Sequence, residues 1–81
     1  MQLGTRWTIR GQAPAGLPQA VLTAISGVEA EVFALASAEF DPSGWRWTLT
    51  WLEGRPVVEL EDGTVIRYDA AADVAAVIPG E

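Results

Sequence analysis

The chain has 81 residues, 49% of them hydrophobic, and a formal net charge of −6 from eleven carboxylates against five arginines, with no His, Cys or Lys. Its apolar content excludes intrinsic disorder, and its length fits one domain, residues 1–81, hiding about 60 to 65% of the surface that the unfolded chain exposes. The acidic balance disfavours nucleic acid and anionic membranes as partners; no apolar run approaches the roughly 20 residues of a membrane span, and with no secretory leader pattern the expected location is cytoplasmic.

Arg6-Trp7-Thr8-Ile9-Arg10 alternates polar and apolar side chains. That period predicts a first strand over about 5–10 with Trp7 and Ile9 turned inward. Two glycines and a proline between positions 11 and 16 then break regular structure. Pro18 suits the first position of a helix, where its missing N–H costs nothing. From there Leu17, Val21, Ala24, Ile25, Val28, Val32 and Leu35 recur at three- and four-residue spacing as one apolar stripe. The pattern predicts a helix over about 18–37, roughly 30 Å long at 1.5 Å per residue.

Asp41-Pro42-Ser43-Gly44 has the composition of a turn and opens a predicted β-meander over about 44–69. Trp45, Trp47, Leu49 and Trp51 alternate with Arg46, Thr48, Thr50 and Leu52, so one face of this strand is aromatic. A two-residue loop Gly54-Arg55, with Gly first as a type II′ turn requires, sets Trp51 opposite Val58 and Leu49 opposite Leu60. Glu61-Asp62-Gly63 matches a three-residue loop with Gly in the left-handed position, which sets Val58 opposite Ile66 and keeps Leu60 and Tyr68 on one face. Both turns bring the large apolar residues to the same side, and that agreement supports the assignment. Val74-Ala75-Ala76-Val77-Ile78, closed by Pro79-Gly80, fits a last strand by its β-branched content and a helical turn by its alanines. The predicted architecture is α+β: one amphipathic helix packed on an antiparallel sheet of three to five strands, in the order β-α-β-β-β with a possible last strand at 74–78.

The residue inventory closes off most catalysis. Without His or Cys there is no thiol nucleophile, imidazole base or zinc site of the usual N/S type, and without Lys no Schiff base or P-loop contact. Ser26, Ser37 and Ser43 have nothing to activate them. The expectation is therefore no enzyme, no cofactor and no metal. Glu59 and Glu61 project from one strand face about 7 Å apart, a spacing that could hold a cation or form an acid/base pair. Paired acids are nonetheless ordinary on a solvated sheet face, and Arg67 lies diagonally across as a partner. Trp45, Trp47 and Trp51 could stack a small ligand or grip a proline-rich peptide. Because they share a face with Leu49, Val58, Leu60 and Ile66, core packing is the favoured reading, with Trp45 half exposed at the edge.

The helix is the anomaly. Away from its core stripe lie Ala20, Thr23, Gly27, Ala30 and Ala34, flanked by Leu22 and Phe33, and between 18 and 38 the only strongly polar side chains are Gln19, Glu29 and Glu31. Gly27 costs a helix about 1 kcal/mol relative to Ala, which suggests that another backbone comes close there. Against this, Ala is simply the best helix former. Leu52, Val57 and Val65 make a weaker apolar patch on the open sheet face. Leu22, Gly27, Ala30, Phe33 and Ala34, with Leu52, Val57 and Val65, form the expected contact set of a small non-catalytic interaction protein, a homodimer or the binder of another protein. The alternative is a small-ligand or peptide-binding module built on the Trp-rich sheet. A bacterial or phage structural or accessory role suits the size and the composition, with Arg but no Lys, thirteen alanines and no Asn.

Overall fold

The computed structural model describes residues 4–80. In chain order they form β1 (Thr5–Thr8), α1 (Gln19–Ala34), a 3-10 turn at Pro42–Gly44, β2 (Arg46–Leu52), β3 (Arg55–Leu60), β4 (Val65–Asp69) and β5 (Val74–Ile78). The strands make one antiparallel sheet in the order β1-β2-β3-β4-β5, so every strand is a neighbour of the next and α1 bridges β1 and β2. This is the α+β arrangement expected from the sequence, and 74–78 is a strand.

The helix lies on one face of the sheet, over β4 and β5. Val21, Ile25 and Val28 of its apolar stripe are buried, and they share a core with Trp47, Leu49, Val58, Leu60 and Ile66. Each such side chain contributes roughly 1.5–3 kcal/mol by leaving water. Pro18 is the N-cap in an extended conformation, one position earlier than expected, and its carbonyl accepts from the Val21 and Leu22 amides. The helix ends at Ala34, three residues short of the expected 37. The Leu35 and Ala36 amides tighten onto the carbonyls of Val32 and Phe33, and Ser37 then takes the chain out: its N–H donates to the Phe40 carbonyl, and its Oγ accepts from the Glu39 and Phe40 amides. The first strand also stops early, at Thr8, as Arg10 turns left-handed (φ 68°).

The β3–β4 register is the expected one, with Val58 opposite Ile66 and Gly63 left-handed at φ 94°. The β2–β3 register is not. Leu49 faces Val58, Trp47 faces Leu60 and Trp51 faces Pro56. The loop is Glu53-Gly54, both at positive φ (53° and 78°), a type I′ turn rather than the predicted type II′. The reason lies in Pro56. A Gly54-Arg55 loop would make Glu53 and Pro56 the closing hydrogen-bonded pair, and proline has no N–H to give. Moving the loop back one residue closes the hairpin on Leu52 and Arg55 instead. The register shifts by two, so every side chain keeps its predicted face.

Candidate interaction surface

Among the described residues, three of the five large hydrophobic residues left exposed, Val74 (53%), Val77 (44%) and Ile78 (47%), belong to β5; the others are Leu35 (74%) after α1 and Leu52 (57%) at the end of β2. Edge strands present unpaired backbone groups, and proteins usually blunt them with charge, proline or shortness. The β1 edge is blunted in this way, being four residues long with Arg6 inside it. The β5 edge is five residues, Val-Ala-Ala-Val-Ile, with neither charge nor proline. No described element pairs with its outer side.

Which groups are left unpaired follows from the hairpins. In an antiparallel pair, successive residues turn their N–H and C=O alternately to one neighbour and the other. The Leu60 N–H donates to the Thr64 carbonyl at 2.8 Å, which directs the even-numbered residues of β4 to β3 and the odd-numbered ones to β5. Arg67 therefore pairs by hydrogen bonds with Ala76, and Val65 with Ile78. The N–H and C=O groups of Ala75 and Val77 point out of the sheet.

Apolar surface lies on both sides of this edge. On the helix side, Val77 lines a shallow hollow with Ala24, Gly27, Val28 and Glu31 of α1. On the open face, Ile78 stands beside Val65. A Cβ added at Gly27 would meet nothing within 4 Å, so no contact among the described residues accounts for a glycine there.

The contact residues expected from the sequence do not share one surface. At 100° per residue, Gly27 and Ala34 turn toward the β5 side of the helix and Ala30 away from the sheet, all three exposed. Leu22 and Phe33 lie on the opposite flank, half-buried against the core, and the Arg10 guanidinium sits 3.7 Å above the Phe33 ring. Leu52 is exposed on the open face, while Val57 and Val65 are half-buried there. β5 was absent from that set. The sequence left 74–78 open between strand and helical turn, and the segment is an edge only once its ladder to β4 is in place.

Several of the remaining polar groups have structural partners, while the buried Trp7 Nε1 has none among the described residues. Glu29 Oε2 accepts from the Arg10 amide and from Trp47 Nε1, each at 2.9 Å. Glu61 Oε2 accepts from the Arg46 amide at 2.6 Å, which holds the start of β2 to the end of β3. The Tyr68 hydroxyl donates to Asp73 at 2.6 Å across the β4–β5 turn, and that bond raises its pKa above the usual tyrosine value. Asp41 caps the 3-10 turn by accepting from Ser43, which holds its carboxyl below the usual range. Trp47 is wholly buried with Trp7 stacked on it at 6.4 Å; Trp45 meets Phe40 edge-on, and Trp7, Trp45 and Trp51 are half-buried against the same core. Among the described residues no helix is long and apolar enough to cross a membrane.

Fold and surface together define a two-layer α+β domain whose sheet has one blunted and one open edge. No family model, characterised protein or solved structure matches the chain.

Proposed function

We propose that this chain is a non-catalytic protein–protein interaction module that works through the β5 edge and the side of α1 beside it. The observation that carries the reading is the exposure of Val74, Val77 and Ile78 on a strand with unpaired backbone groups and no charge. An extended segment of another chain satisfies those donors and acceptors and covers the valines and isoleucine in one step. The inventory, with no His, Cys or Lys, supports a binding role over a catalytic one. A net charge of −6 favours a protein partner over nucleic acid.

A photo-reactive amino acid at position 76, in the middle of the edge, tests this in the native host. Illumination is expected to give one cross-linked product of discrete mass, while the same group at Thr50, on the same face of β2, gives none. Absence of any product from position 76 overturns the reading.

A further inference from the structure

We infer that the partner at the β5 edge is a second copy of this chain, the two β5 strands pairing antiparallel about a two-fold axis at Ala76 to make one continuous ten-stranded sheet. This rests on the interaction reading and makes it specific. The outward N–H and C=O groups belong to Ala75 and Val77, by the alternation set at the Leu60–Thr64 closure. A two-fold centred on Ala76 puts Ala75 opposite Val77 of the second copy and Val77 opposite its Ala75. Those two pairs exchange four backbone hydrogen bonds. On the open face the same register sets Val74 against Ile78, so both exposed residues are covered by each other. No charged side chain meets its own image, because β5 has none.

The helix supplies the second argument. Strands stand about 4.8 Å apart, and α1 lies over β4 and β5. Joining two β5 strands therefore brings the two α1 axes about 10 Å apart, the spacing of packed helices. That flank carries Ala20, Ala24, Gly27 and Glu31, the first three small enough for close approach, and no described residue lies within 4 Å of a Cβ built on Gly27. The two-fold makes the helices antiparallel. A crossing at Gly27 sets Glu31 against Thr23 of the second copy, which keeps the two carboxylates apart. The glycine that a lone helix does not need is the residue nearest the crossing.

The experiment is the oligomeric state of the full chain. Light scattering at tens of micromolar is expected to give twice the 8.7 kDa chain mass. Ala75→Pro deletes only an outward N–H and is expected to give a monomer with the circular dichroism of the wild type. Ala76→Lys and Ala76→Glu each place like charges on the axis and are expected to be monomeric alone. Mixed in equal amounts, they recover the dimer, an outcome that requires position 76 to face itself. Gly27→Leu, on the exposed helix flank, is expected to weaken the dimer at least tenfold and serves where an edge variant fails to fold. A dimer that survives Ala76→Lys and Gly27→Leu, or a mixture that stays monomeric, overturns the proposed pairing. A monomeric wild type whose position 76 cross-links to a different protein overturns self-pairing and leaves the interaction module standing; a monomeric wild type with no cross-link at all removes both.

Discussion

One carboxylate oxygen of Glu29 accepts from the Arg10 amide and from the indole N–H of Trp47, so the middle of α1 is tied at once to the loop after β1 and to the largest fully buried side chain of the sheet. Removing the acceptor leaves the Trp47 donor in the core without a partner, and an unsatisfied buried donor costs about 1–3 kcal/mol. Glu29→Ala is accordingly expected to lower stability by about 2 kcal/mol in urea unfolding, with Glu29→Gln, which keeps a carbonyl oxygen, losing less than half of that. An unchanged urea midpoint for the Ala variant would show that water replaces the carboxylate. Nothing in the sequence pointed to this bond. Glu29 reads as one of few polar residues on a bare helix, and only the packing of α1 on the sheet brings it to Trp47. Its neighbour on the same flank, Phe33, is engaged by Arg10 for the same reason. Two residues that looked like surface are therefore part of the seam between helix and first strand.

The hairpins show which signals are local enough to read. Glu61-Asp62-Gly63 could be read correctly because only Gly63 needs the left-handed region, and the Asp62 side chain accepts from the Thr64 amide at 2.8 Å. The β2–β3 loop was misread because its first residue is Glu53, held at φ 53°, a region that non-glycine residues enter at a cost of roughly 1–2 kcal/mol. The decisive constraint was instead the absent N–H of Pro56, which forbids the alternative closure. Face assignment survived because a slip of two keeps the parity of the strand. The strained position makes a prediction: Glu53→Asn gives the Asn-Gly pair that type I′ turns favour, and is expected to add about 0.5–1 kcal/mol to stability. Thermal unfolding checks it, and a lower midpoint would mean that the turn is not type I′ in solution. β5 was legible as a segment and ambiguous as a type. Its alanines suit a helix, and the ladder to β4, with Asp69 opposite Val74 and Val65 opposite Ile78, decides for the strand. Since the edge could not be placed until that ladder was known, the expected contact set was sought on the back of the helix and on the open face of the sheet.

At the scale of the whole molecule the two edges of the sheet differ in kind, and the difference decides where assembly stops. Pairing β5 with β5 removes the uncharged edge from both copies and leaves a β1 edge at each end of the joined sheet, short and carrying Arg6. Such edges resist further addition, so a two-fold closes the assembly at two copies rather than propagating a fibre. The net charge works against the union: each copy carries −6, and none of that charge lies on β5. The contact itself is apolar and backbone-mediated, so salt acts mainly by screening repulsion between the two acidic bodies. Screening length falls from about 30 Å at 0.01 M to about 8 Å at 0.15 M ionic strength. The dimer is therefore expected to tighten several-fold across that range, measured by sedimentation at fixed protein concentration. Ion pairs across the contact would give the opposite slope, because salt weakens attraction between exposed charges as it weakens repulsion. A dimer that loosens on adding salt would thus place the contact on the charged part of the surface, near Arg6, Arg46, Glu59 and Glu61, and away from β5.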